Sequence, residues 1–184
     1  MTNKYKQNQP TSDDNKTDDE AQLRAQTLDR AVRLLAARPR SIDELRTRLL
    51  EKGKASPQIV ESVMTKLKEY GYLNDEKFAT DFAAYRLRQK AVGRHRIERD
   101  LFIKNVPREI SERVVDALFE ENSEEQLIDL SIKKHLARRG RPQDQGARKK
   151  LFDYLARLGY PYDLIIKKLN EIRSVSDEYG TDDI

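Results

Sequence analysis

"SIDELRTRLLEKGKASPQIVESVMTKLKEYG", Ser41 to Gly71, decides the fold class. Ser41 followed three residues later by Glu44 makes a capping box at the head of "IDELRTRLLEKG". Gly53 closes that helix, and a glycine in this place predicts the left-handed stop that ends many helices. Ser56 then caps a second helix, Pro57 fills its first turn, and Gly71 ends it. The apolar residues follow helical spacing, and no part of the stretch alternates with period two for long. Two helices with their starts and stops written in leave no room for a strand.

The same grammar extends in both directions. Upstream, "TLDRAVRLLAARPRS" carries Leu28, Val32, Leu35 and Ala36 at helical spacing and ends before Pro39. Downstream, Asn74 or Asp75 caps "EKFATDFAAYRLRQKAV", with Phe78, Phe82 and Tyr85 on one side. "RHRIERDLFIKN" follows, then "PREISERVVDALFEE" with Pro107 at its start. Ser123 and Gln126 form a second capping box before "EEQLIDLSIKKHLARRG", and "ARKKLFDYLARLG" and "PYDLIIKKLNEI" complete the series. Nine helices are expected.

They repeat. "LLEKG" with Pro57, "LFIKN" with Pro107 and "LARLG" with Pro161 are equivalent anchors, and Gly53, Asn105 and Gly159 lie 52 and 54 residues apart. A period near 50 marks an array of supersecondary units, none able to bury its apolar face alone. The expected fold is all-α: an elongated, curved array of three tandem three-helix repeats at 25–72, 73–121 and 122–173. Residues 1–24 and the acidic stretch 174–184 are nearly devoid of apolar patterning and read as disordered tails. In "GYLND", Tyr72 and Leu73 are expected to pack with Phe78 and Phe82 as a joint between repeats.

Composition removes most function classes. The chain has 184 residues, 37% hydrophobic and 37% charged, so thin helical layers suit it better than one deep core. It lacks cysteine, which excludes disulfides and thiolate metal sites. His95 and His135 are the only histidines and fall in different repeats, so no metal-ligand spacing exists. Acid pairs such as Asp43–Glu44 and Asp75–Glu76 sit in first helical turns, where they complement the helix dipole. There is no phosphate-binding Gly-rich loop, no apolar run near the roughly 20 residues of a membrane span, and no export signal. The expectation is a cytoplasmic monomer with no cofactor, no metal and no catalytic residues.

Charge is the remaining chemistry. The net charge is +4, but residues 21–173 alone carry 33 bases against 23 acids. Two clusters stand at equivalent places in repeats two and three, running from the long helix across the turn. The first holds Arg86, Arg88, Lys90, Arg94 and Arg96; the second holds Lys133, Lys134, Arg138, Arg139, Arg141, Arg148, Lys149 and Lys150. Repeat one has a fainter counterpart in Arg33, Arg38, Arg40, Arg46 and Arg48. Corresponding turns of an array tend to share a face, so these bases are expected to form one stripe that meets a polyanion or an acidic protein. The alternative is a helix-turn-helix transcription regulator built on residues 41–70. Its recognition helix should carry several base-reading side chains, whereas "PQIVESVMTKLKEY" has two lysines balanced by Glu61 and Glu69.

These residues resemble the RecX regulatory proteins, which modulate the bacterial RecA recombinase. "RAVRLLAARPRSIDELRTRLLEKG" resembles the family's first repeat. "LKEYGYLNDEKFATDFAAYR" resembles its central signature, a Tyr-Leu-Asn-Asp turn followed by Phe-Ala. "LARRGRPQDQGARKKLFDYLARLGYPYDLIIKKL" resembles its third repeat. The likeness spans about residues 27–173 and departs from the family at "VGRH" and at Lys104–Asn105. It implies a protein lying along the groove of the RecA–single-stranded DNA filament. There it would block filament growth and strand exchange and dampen ATP hydrolysis and coprotease action. It also implies weak contact with DNA, single-stranded or duplex, without sequence specificity.

Overall fold

The structure, a computed structural model, describes residues 12–178. It contains α1 (Ser12–Ala37), α2 (Ile42–Lys52), α3 (Pro57–Glu69), α4 (Asp75–Gln89), α5 (Arg94–Ile103), α6 (Arg108–Glu121), α7 (Glu124–Arg139), α8 (Gln145–Arg157) and α9 (Tyr162–Glu178). Among the described residues there is no strand. The helices pack in consecutive trios, α1–α3, α4–α6 and α7–α9.

Two compact units result, Met1–Asn74 and Asp75–Ile184. The first buries Leu45, Leu49, Val60, Met64, Leu67 and Leu73 around Ala31 of α1. The second merges repeats two and three into one core, in which Ala79, Ile97, Leu101, Val115, Ile128, Leu151 and Leu155 are fully enclosed. Burial of each such Leu or Ile contributes about 1.5–3 kcal/mol.

The expected caps are present. The Ser41 hydroxyl accepts the Glu44 N–H (3.1 Å), Ser56 accepts that of Ile59 (3.4 Å) and Ser123 that of Gln126 (3.4 Å). The expected left-handed stop at Gly53 is not: its φ is −101° and ψ 158°, an extended conformation. This glycine is needed for room. A Cβ there would strike the Leu49 carbonyl and crowd the guanidinium of Arg30, which donates to the Arg48 carbonyl at 2.9 Å. Among the described residues the left-handed positions are Gly71 (φ 72°), Asn105 (55°), Gly140 (76°) and Gly159 (86°). At three of them the next N–H reaches back to a carbonyl five residues earlier: Tyr72 to Leu67, Val106 to Leu101 and Tyr160 to Leu155.

Other boundaries differ as well. α1 includes residues 12–24; Asp18, Asp19 and Glu20 suit the N-terminal half of a helix, and Glu20 pairs with Arg24 at 2.7 Å. α9 is helical through 174–178, where neither glycine nor proline interrupts it. The disorder expected of 1–11 and 179–184 lies outside the described residues. Tyr72 is 67% exposed, edge-on to Tyr70, because the reversal at Gly71 turns it away from the Leu67–Leu73 core. Leu73 belongs to the first unit's core, while Phe78 and Phe82 stack at 5.9 Å in the second.

Within the second unit, repeats two and three meet backbone to backbone. The Gly93 N–H donates to the Leu158 carbonyl (2.9 Å) and the His95 N–H to that of Gly159 (3.1 Å). The Arg94 N–H donates to the Glu124 carboxylate at 2.8 Å. Donors that the first turn of α5 leaves without intrahelical partners are thus satisfied by repeat three.

Candidate functional site

The thirteen bases of the expected stripe divide into two groups once their neighbours are known. Arg86, Arg94 and Arg96 are internal cross-links. Arg86 and Arg96 converge on Asp100 at 2.5 and 3.2 Å, and that carboxylate is only 12% exposed. Arg94 reaches Asp116 (3.3 Å) and Glu124 (3.4 Å), and lies 5.6 Å over the Phe119 ring. The counterparts in repeat one are paired too: Arg33 with Asp29, Arg38 and Arg40 with Glu44, Arg46 with Asp43 and Glu61, Arg48 with Glu51. Arg148 donates to the Asn170 side chain at 2.6 Å.

The others make no ion pair among the described residues, and most of them surround one cleft of about 710 Å³. Its walls are the end of α4, the C-terminal half of α7, the turn after it, and α8. Lys90, Lys134, Arg138, Arg139, Lys150 and Arg157 line it, with Arg141 in the turn, and no carboxylate does. Arg88, Lys133 and Lys149 are exposed but do not line it.

Local sequence builds this concavity. On α7, Ser131, Lys134, His135, Arg138 and Arg139 recur at three- and four-residue spacing and share a face. On α8, Lys150, Tyr154 and Arg157 do the same. Gly140, left-handed at φ 76°, ends α7, and the Asp144 carboxylate caps α8 by accepting the Ala147 N–H at 2.7 Å. The two helices are thereby held as opposing walls. Arg138 and Arg139 fall in the last turn of α7, where the dipole favours cations by tenths of a kcal/mol to about 1 kcal/mol.

Inside, the His135 and Tyr154 rings meet at 4.8 Å with a 40° tilt. Burial, and then the charge of Arg139, hold the His135 imidazole below its ordinary pKa, so it is neutral near pH 7. Behind them the Ser131 hydroxyl bonds the Tyr160 phenol at 2.9 Å, and burial pushes that phenol up to about 12. Seven cations without a neutralising carboxylate repel one another in the free protein, and a polyanion relieves that repulsion.

Sequence reasoning named six of the seven cleft cations and missed Arg157, His135 and Tyr154. The signal was available: Arg157 stands seven residues after Lys150, on the same helical face. Among the described residues no cluster of His, Asp and Glu could hold a metal ion, and no helix is long and apolar enough to cross a membrane.

Known proteins place this architecture. The pattern described as RecX, first three-helix domain, matches residues 28–67. The chain is 32% identical over 145 residues to the regulatory protein RecX of Chlorobium phaeobacteroides (strain BS1), covering 78% of this chain and 91% of that one. It is 33% identical over 152 residues to that of Amycolatopsis mediterranei (strain U-32), covering 81% and 82%. Among solved structures, RecX from Lactobacillus salivarius shares the fold with a TM-score of 0.73 at 18% identity, over 84% of this chain and 99% of that one. A second, a regulatory protein RecX, gives 0.74 at 15% identity over 85% and 76%. By its sequence relatives, its repeated three-helix units and the fold they share, the chain belongs to the RecX family of regulatory proteins.

Proposed function

We propose that this protein binds the RecA–single-stranded DNA filament and restrains RecA. It would block filament growth, and with it strand exchange, ATP hydrolysis and coprotease action, without catalysing a reaction itself. It would act as a cytoplasmic monomer. The observation that carries this reading is the cleft of seven cations with no carboxylate in its lining. Such a surface is electrostatically incomplete until it meets a polyanion. A filament of nucleic acid and protein offers that charge at regular intervals.

Energetics fit a filament better than a single small ligand. Exposed ion pairs are worth about 0–1 kcal/mol each, so none holds the complex alone. Contacts made in sequence along one chain gain from the tethering of those already formed. The test is RecA's ATP hydrolysis on single-stranded DNA, titrated with this protein. Hydrolysis should fall toward zero as the protein approaches filament-saturating amounts, while the protein without RecA turns over neither ATP nor DNA. Unchanged RecA hydrolysis, or turnover by a preparation free of RecA, would contradict the proposal.

A further inference from the structure

We infer that the cationic cleft is a single-stranded nucleic-acid subsite, in which one base stacks on the His135–Tyr154 rings while Lys90, Lys134, Arg138 and Lys150 hold the phosphates beside it. This rests on reading the cleft as the surface that meets a polyanion, and names what enters it.

The cleft's shape is the first reason. Acidic side chains of a protein partner need only a convex or flat cationic face, and the unpaired Arg88, Lys133 and Lys149 supply one outside the cleft. The cations that line it instead surround a hollow of about 710 Å³, within the roughly 300–1,000 Å³ typical of sites for small organic groups. A nucleotide fits there.

Its floor is the second. Two rings 4.8 Å apart and tilted by 40° line the same hollow as the cations. Tyr154 also packs against the second unit's core, and aromatic faces beside a cationic track are how sequence-tolerant single-strand sites are built. His135 is held neutral, so its ring meets a base without a charge of its own to hydrate. Ala91, Ala147 and Leu151 add apolar wall around the rings. The arrangement also discriminates against duplex, whose paired bases stay stacked on each other and cannot be splayed onto a protein ring.

Full-length protein, without RecA, can be titrated into a fluorescently labelled oligothymidylate and into an abasic oligonucleotide of equal length. Both carry the same phosphates, and only the first carries bases. The thymidylate should bind about tenfold tighter, the effect of stacking one base. His135→Ala and Tyr154→Ala should bring the two affinities together, and Tyr154→Phe should keep them apart. Lys134→Gln with Lys150→Gln should weaken both ligands alike and flatten the dependence on salt. Tyr154 is half-buried; if its alanine variant unfolds by circular dichroism, His135→Ala carries the comparison. Equal affinity of the wild type for the two oligonucleotides overturns the inference. So does an unchanged ratio in His135→Ala, a preference for duplex, or binding of polyglutamate with neither oligonucleotide. Because RecA is absent, loss of base dependence leaves the filament reading to be judged on its own assay, and failure there leaves the subsite standing.

Discussion

Gly93 and Gly159 face each other so closely that neither can accept a methyl group. A Cβ on Gly93 would run into the Gly159 carbonyl, and one on Gly159 into the backbone of Arg96. Gly93→Ala should therefore destabilise the second unit by about 1–3 kcal/mol, the usual range for overpacking, lowering its urea midpoint without loss of helix content in the native baseline. Asn105 is a different case, since it holds a φ of 55° with a side chain present. Asn105→Gly should change stability little, whereas Asn105→Val should cost about 1–2 kcal/mol for the left-handed backbone, read as a lower thermal midpoint. These two turn positions thus have separate explanations. Gly93 is there for space, Asn105 for backbone sign.

At the scale of the element, the turn from α4 into α5 is fastened by Asp100, which receives both Arg86 and Arg96. Asp100→Asn removes the charge that two guanidinium groups share, and should cost about 1.5–3 kcal/mol, the range for hydrogen bonds to charged groups. Inhibition of RecA per folded molecule should be unchanged, because neither arginine lines the cleft. That result would separate the structural arginines from the binding ones, a division the sequence could not draw. Base content is visible in a string of letters. Pairing is not, because Asp100 lies 14 residues from Arg86, and Asp116 and Glu124 lie 22 and 30 from Arg94. The helices themselves were legible because their caps are local: Ser41 with Glu44, Ser123 with Gln126 and Pro57 in a first turn. The glycine stops were half legible. "LLEKG" and "LARLG" look alike, yet only Gly159 is left-handed, since what distinguishes Gly53 is an arginine 23 residues upstream crossing over it. For the same reason the cleft was legible as charge and illegible as a hollow. Its rings come from α7 and α8, and their approach is a fact of packing.

Across the whole molecule, the two cores share no buried residue: Leu45 and Leu49 belong to one, Leu101 and Leu155 to the other. Leu45→Ala opens a cavity costing about 2–5 kcal/mol. Hydrogen exchange should show amides of α1–α3 losing protection by that amount while those of α5 and α8 keep theirs. The cleft lies wholly in the second unit, so such a variant also asks how much of the function the first unit supplies. The role of the cleft is put to the test by reversing three of its bases, Arg138→Glu, Arg139→Glu and Arg141→Glu together. None of them makes an ion pair among the described residues, so the fold loses no internal cross-link, only dipole interactions of about 0.3–1 kcal/mol for each charge changed in the last turn of α7. RecA strand exchange should be titrated with wild type and variant at several salt concentrations. The variant should keep its helix content but inhibit at least tenfold more weakly, and wild-type inhibition should fall steeply as salt rises. A folded variant that inhibits as well as the wild type at every salt concentration would contradict it, and the cleft would be a solvated surface with no part in the regulation of RecA.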